Sequence, residues 1–557
     1  MKVFEAIADI VELEEVGAVF AVMGDANMKW LSSYTARTGR LVYYARHEGA
    51  AVSMADGYAR ATGKLAVCSV TCGPGLSLLA TPLVAASRNR TPLLVLAGDA
   101  PRGDKYYEQA FDQQRFVESS ETMAEHLRSA ASLDEDLRDA FFLARTVGPI
   151  VFSAAFDVQE EEAEAHSDPY MPSLALVAEP QEIRPDAEAL ARAAAIVRAA
   201  ERPIIVAGRG AITAKAELLE VADLTGSLLA TSMMAKGLFD GDARNLGLSG
   251  GFASDSARNC FADADCVIGV GAGMNHYTTD YGSLFPHARV IHVVHEPVAL
   301  MGGRRRPNAR PGGRRVADCF VQGAARPTLR MLTEELLLTG ASPVPPWVSV
   351  IDPQEVGEVA ADDPDLHPAA VIDELNRAAH PDSRFVIGLG HNWWFPLTFL
   401  RDRWSADSFQ LTTEFGSIGQ GLTAAIGAAL GRPDRKHVLV EGDGSVMMQI
   451  QELDTAVRYG VDLLVVVMND RGLGAEALKL EILGFDASAA RFETPDFGAL
   501  ARVLGGDGTV VRTLGELARE VQRFQSEGGL RVLDVQMSQR VMSGPYEAKF
   551  GKSGAGV

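Results

Sequence analysis

The chain has 557 residues, 73 of them Asp or Glu against 52 Lys or Arg, for a formal charge of −21 and a hydrophobic share of 47%. At roughly 100–200 residues per domain this length predicts about three domains, and the apolar share excludes a disordered chain. The acid excess argues against nucleic acid as a partner, and five scattered cysteines make no disulfide framework and suit a reducing compartment.

The segment Met1–Gly24 mixes Glu and Asp into its apolar positions, unlike a signal peptide. No run reaches the roughly eighteen apolar residues of a membrane span. These features predict a cytoplasmic protein with no membrane partner. Glycine-punctuated apolar runs alternate with Ala/Leu/Glu-rich segments, the pattern of βαβ units. The predicted class is α/β, with three domains, each an open, mainly parallel sheet flanked by helices. An acidic, Pro-bearing stretch at 159–186 and a Pro-rich one at 342–364 read as linkers. They place the domains at 1–165, 186–340 and 365–540, with a Gly/Ser/Lys tail or lid at 541–557. The first and third domains share one rhythm of strand, turn, small-residue helix and strand.

In chain order, the first domain offers Met23-Gly-Asp-Ala-Asn27, Arg46-His-Glu-Gly-Ala-Ala51, Ala55-Asp-Gly-Tyr-Ala-Arg-Ala-Thr-Gly63 and Thr71-Cys-Gly-Pro-Gly75. Taken alone, Glu48 is a solvated residue at a helix start. The second domain has glycine turns after strands at Arg202–Gly210 and Asp265–Gly273, a weak nucleotide signal. Six arginines crowd Gly302–Arg315; they read as a solvated loop, or as an anion site for a phosphorylated ligand. The third domain contributes Gly390-His-Asn-Trp-Trp394 and Glu414-Phe-Gly-Ser-Ile-Gly419. It then gives a buried strand, His437–Glu441, and a tight turn, Gly442–Ser445. Val446, Ile450, Leu453 and Val457 follow at helical spacing, with Ser445 as cap and Gly460 as stop. A second buried strand, Asp462–Met468, runs straight into Asn469–Gly474.

Parallel strands joined by a right-handed crossover end on the same sheet edge, which brings Asp443 and Asp470 together beside a helix amino terminus suited to an anion. Two carboxylates there make sense if a divalent cation ties them to phosphate oxygens. Two ordinary turns with solvent-exposed Asp are the alternative on this segment alone.

Gly442-Asp-Gly444, followed after 24 residues by Asn469-Asp470, resembles the thiamine diphosphate motif of the acetolactate synthase, pyruvate oxidase and 2-oxo acid decarboxylase group. The first-domain segments resemble that group's pyrimidine-binding domain, in the same order. The resemblance implies thiamine diphosphate and Mg²⁺ as cofactors. It assigns the metal to Asp443, Asp470 and Gly472, with Asp470 a departure from the usual Asn and Leu473 from the frequent Tyr. Glu48 would share a proton with the aminopyrimidine ring, so that the ring removes the proton from C2 of the cofactor's thiazolium. His47 stands beside it, as a direct participant or a structural hydrogen-bond partner. Gly73 and Pro74 would edge the cofactor, the Gly416 carbonyl would accept from the aminopyrimidine, and Ile418 would be an apolar wedge. Gly390, His391 and Asn392 would serve the diphosphate, with Gly442, Gly444, Ser445 and Gly474 lining it.

Asp25 matches the decarboxylase pattern, whereas Gln109 resembles the glutamine of synthases. FAD in the central domain is left open, with no motif specific for it. The implied function is an acetolactate synthase-like lyase or carboligase. It would act on a 2-oxo acid or dicarbonyl, through ylide and enamine intermediates, in a homodimer or homotetramer with sites at the subunit interface. Simple decarboxylation, 2-hydroxyacyl-CoA lyase chemistry, diketone hydrolysis and a retired relative acting as a binding module are the alternatives.

Overall fold

Short Val/Ile/Leu/Ala runs, buried on both faces, form the strands of three parallel sheets, as expected where helices cover each side. The computed structural model describes residues 1–163, 169–178, 182–296, 299–301, 304–306, 317–349, 351 and 354–546. The first sheet comprises β1 (Ala18–Ala21), β2 (Val42–Tyr44), β3 (Ala66–Val70), β4 (Leu93–Asp99), β5 (Met123–His126) and β6 (Ile150–Ala155), in the order β2-β1-β3-β4-β6-β5.

The second comprises β7 (Pro203–Ala207), β8 (Leu228–Thr231), β9 (Asn245–Leu248), β10 (Cys266–Val270) and β11 (Arg289–Val294), with β14 (Cys319–Gln322) at one edge. An antiparallel hairpin of β12 (Ala299–Met301) and β13 (Arg304–Arg306) stands outside it. Its order, β14-β11-β10-β7-β8-β9, is the doubly wound 3-2-1-4-5-6 arrangement. The third comprises β15 (Ser383–Ile387), β16 (Phe409–Leu411), β17 (Lys436–Gly442), β18 (Leu463–Asn469), β19 (Asp507–Val511) and β20 (Leu530–Gln536), in the order β16-β15-β17-β18-β20-β19. That order repeats the first sheet strand for strand.

Two expectations are corrected. The helix foreseen from Val446 to Val457 is two helices, Asp443–Met447 and Glu452–Arg458, and Ser445 lies inside the first rather than capping it. The apolar face survives the break, with Val446 and Leu453 buried. The start of the arginine run is strand (β13), not loop; its remainder at 307–316, like the tail at 547–557, lies outside the described residues. Part of the first linker is pinned down: the buried Glu14 carboxylate accepts from the Tyr170 hydroxyl and from the Ser173 amide and hydroxyl.

The first and third domains share a hydrophobic core. At its centre the helices Glu48–Thr62 and Gly421–Gly431 cross backbone to backbone. A Cβ at Gly57 would overlap the Ala424 carbonyl, and one at Gly427 the Met54 carbonyl. Both helices are small-residue-rich and buried nearly all round, the signature of an interior helix. Among the described residues, no helix is long and apolar enough to cross a membrane.

Candidate functional site

The carboxyl edge of the third sheet gathers one open cleft from four successive loops. Leu389–Asn392 comes from beyond β15, Ile418 from beyond β16, Gly442–Ser445 from the end of β17, and Met468, Asp470 and Gly472–Gly474 from β18 onward. The structure thus brings together Gly390, His391, Asn392, Ile418, Gly442, Asp443, Gly444, Ser445, Asp470, Gly472 and Gly474. Ile418 is a half-buried wall of this cleft rather than core. Gly416 sits outside the lining, exposed, with φ +74°.

Asp443 and Asp470 are both buried. Burial first, and then the neighbouring Asp470 charge, push the Asp443 carboxyl well above the ordinary carboxylate range. The Gly472 amide donates to Asp443 Oδ2 at 3.0 Å, and His391 Nδ1 lies 3.2 Å from Asp470 Oδ2. The His391 Nε2 atom is buried and has no partner in the protein. Asn392 turns its Nδ2 toward the Gly388 and Val440 carbonyls, so its unpartnered Oδ1 is the atom left over. Glycine is needed at 474, where a Cβ would overlap the Asp470 carboxylate, and at 472, where one would overlap the Ala490 carbonyl.

This donor set fits a dication and a diphosphate. Two adjacent buried carboxylates repel unless a cation or proton sits between them, and a small oxygen-seeking dication keeps positions for phosphate and water. Among the described residues no cluster of three His, Cys, Asp or Glu could hold a metal by itself, so a dication here would take its remaining ligands from main chain, solvent or a bound phosphate.

A network that sequence reasoning missed supports the cleft from behind. The buried Glu441 accepts from the Gly421 and Leu422 amides at the start of helix Gly421–Gly431, and from the Ser445 hydroxyl. Ser445 Oγ in turn accepts from the Gly419 amide at 2.7 Å. Glu441 therefore ties the Glu414–Gly419 loop to the Gly442–Ser445 turn, and burial raises its pKa to about 7. No residue-type pattern marks such a glutamate before the fold is known.

The first-domain candidates form a separate group on the carboxyl edge of the first sheet. Glu48 and His47 begin the helix Glu48–Thr62, both half-buried, and His47 Nδ1 caps it by accepting from the Gly49 amide at 3.0 Å. Gly73 has φ +60°, and its amide donates to Gln113 Oε1 at 2.9 Å. Pro74 opens the next short helix. A Cβ at Gly73 would overlap the Gln109 carbonyl, and the Cys72 thiol lies 3.2 Å from Gln109 Oε1. Asp25 is exposed in the turn after β1, and the adjoining Ala26 amide reaches Thr71 Oγ1 at 3.4 Å. None of these residues lines the third-domain cleft. In the central domain the two glycine turns close on each other, Gly208 N to Val270 O at 2.9 Å and Gly210 N to Gly271 O at 3.1 Å. The two turns pack backbone against backbone, with Gly208 and Gly210 each against the Gly271–Ala272 main chain.

The fold and site define a class. The thiamine pyrophosphate enzyme family is matched by its amino-terminal binding domain at residues 1–119, its central domain at 190–332 and its carboxyl-terminal binding domain at 397–535. The chain belongs to this family and is a thiamine pyrophosphate-dependent enzyme of the acetolactate synthase-like lyase and carboligase type. It is 30% identical to an acetolactate synthase large subunit from Parasynechococcus marenigrum over 84% of this chain and 76% of the relative. It is 29% identical to the acetolactate synthase isozyme 3 large subunit of Escherichia coli, over 83% and 81%. A solved structure of a protein from Mycobacterium smegmatis shares the fold at TM-score 0.76 and 22% identity, covering 97% of this chain and 99% of that one.

Proposed function

We propose that this enzyme is an acetolactate synthase-like carboligase that cleaves the bond beside the carbonyl of a 2-oxo acid, with Mg²⁺ joining thiamine diphosphate to the third domain. The observation that carries the reading is the convergence of two buried carboxylates and an unsatisfied, buried imidazole nitrogen in one glycine-lined cleft of this family's fold. Asp443, Asp470 and the Gly472 carbonyl would hold the cation. His391 Nε2 and the backbone of Gly390, Gly442, Gly444 and Gly474 would face the diphosphate, with Ser445 bracing the loop behind. Thiamine diphosphate supplies, when bound, an electron sink for the carbanion left at the substrate carbonyl carbon.

Glu48 would face the aminopyrimidine of the bound cofactor and share a proton with it, and His47, which caps the helix turn, would help present it. The Gly416 carbonyl would accept from the ring's amino group, Ile418 would prop the ring, and Asp25 and Gln109 would flank the substrate beside the Gly73–Pro74 turn. Because the first-domain group lies outside the cleft of its own chain, Glu48 would come from a second copy. A two-fold homodimer, alone or as half of a tetramer, completes two such sites. The enzyme would work in the cytoplasm, on small molecules.

The test is calorimetry with thiamine diphosphate and Mg²⁺, followed by a panel of 2-oxo acids and aldehydes scored for CO₂ and for ligated product. Cofactor binding with CO₂ release and ligation is expected. CO₂ release with free aldehyde alone would reassign the enzyme as a simple decarboxylase, and absence of cofactor binding would overturn the reading.

A further inference from the structure

Arg471 stands in the middle of the metal turn, between Asp470 and Gly472, with φ +53°. A side chain other than glycine in the left-handed region is uncommon and costs conformational energy, so its persistence calls for something that holds it. Backbone contacts secure one side: the Phe492 amide donates to the Arg471 carbonyl at 3.1 Å, and the Arg471 amide donates to Asn469 Oδ1 at 3.0 Å.

The guanidinium secures the other side. It reaches out of the third-domain core to Asp365 Oδ2 at 2.6 Å and to Gln536 Oε1 at 3.2 Å. Asp365 belongs to the segment that enters the third domain, and that segment is itself strapped to the base of the carboxyl tail. The Leu366 amide donates to the Gln536 carbonyl at 3.1 Å, and the Ser538 hydroxyl donates to Asp363 Oδ2 at 2.6 Å. From that base Gln539 Nε2 donates back to the Asp470 carbonyl at 2.9 Å. The turn is therefore gripped on both sides by residues outside the metal motif.

We propose that Arg471 is a positioning residue. Its ion pair with Asp365 holds the turn in the left-handed conformation that directs the Asp470 carboxylate and the Gly472 carbonyl to the dication, so cation affinity depends on the linker and tail base. This rests on the proposed function above, through the assignment of the metal to this turn.

The experiment uses the full chain as wild type, Arg471→Ala, Arg471→Gly, Asp365→Asn and the Asp365→Asn/Arg471→Gly double variant. Thermal melting without cofactor checks that each is folded. The Mg²⁺ dependence of thiamine diphosphate binding is then read by tryptophan fluorescence and calorimetry. Arg471→Ala and Asp365→Asn are expected to weaken apparent Mg²⁺ affinity by about tenfold, because the strained conformation loses its hold. Arg471→Gly and the double variant, in which glycine adopts that conformation freely, are expected to stay within about twofold of wild type.

Alanine and asparagine variants equal to wild type would overturn the inference. So would a glycine variant as weak as alanine, since relief of strain would then play no part. A misfolded Arg471→Ala leaves the test standing on Asp365→Asn and its rescue by Arg471→Gly. A wild type that binds no thiamine diphosphate with Mg²⁺ fails the function reading instead, and the two failures are thereby distinguishable.

Discussion

Single side chains carry the chemistry, and each has a separable test. Glu48 is half-buried at a helix start. Glu48→Gln keeps its size and hydrogen-bonding reach but cannot ionise, so turnover should fall by about 10²–10⁴-fold while calorimetry still finds thiamine diphosphate bound. Asp443 and Asp470 separate by substitution. Asp443→Ala removes the carboxylate that also accepts from Gly472 and should abolish Mg²⁺-dependent cofactor binding. Asp470→Asn retains an oxygen ligand and should leave binding measurable, with weaker Mg²⁺ affinity because one negative charge has gone. The pairing of Asp470 with His391, 79 residues away in the chain, was not legible in the sequence. Nothing in either local pattern reports on the other.

Helices and strands set the geometry that those side chains use. The crossing of helices Glu48–Thr62 and Gly421–Gly431 depends on bare backbone at Gly57 and Gly427. Gly427→Ala should therefore push the helices apart and cost about 1–3 kcal/mol, read as a lower melting temperature. At the opposite end of the third sheet, His437 on β17 is fully buried, and burial followed by the nearby Arg384 charge lowers its pKa to about 3.

Its ordinary value is 6.5, so between pH 6.5 and 3 the unfolded chain binds a proton that the folded chain refuses. Stability from this group is complete above pH 6.5 and is lost as pH falls, by at most about 1.4 kcal/mol per pH unit. Acid titration of the unfolding free energy should show this slope flattened in His437→Gln. Periodicity foresaw β17, β18 and the apolar face between them. It did not foresee the break after Met447, because Met448-Gln-Ile-Gln451 contains no Gly or Pro to mark one.

At the scale of the whole molecule, the candidate residues of the first and third domains lie on equivalent edges of two sheets with the same strand order, and the third-domain cleft contains none of the first-domain candidates. If a two-fold dimer joins them crosswise, mixing inactive Glu48→Gln and Asp443→Ala chains should restore about a quarter of wild-type activity after subunit exchange. Each mixed dimer would then hold one intact site. Sites contained within single chains would give no recovery in the same kinetic assay. The sequence by itself determined the α/β class, the family and the segments proposed to meet the cofactor, since each rests on local spacing: strand, glycine turn, acidic residue, helix. Only the tertiary structure decided which residues support them, including Glu441 behind the loop, Arg471 held by Asp365, and the two groups of candidate residues kept apart. Those relations join atoms distant in the chain, and the burial, left-handed backbone and charge pairing that create them exist only once the sheets have packed.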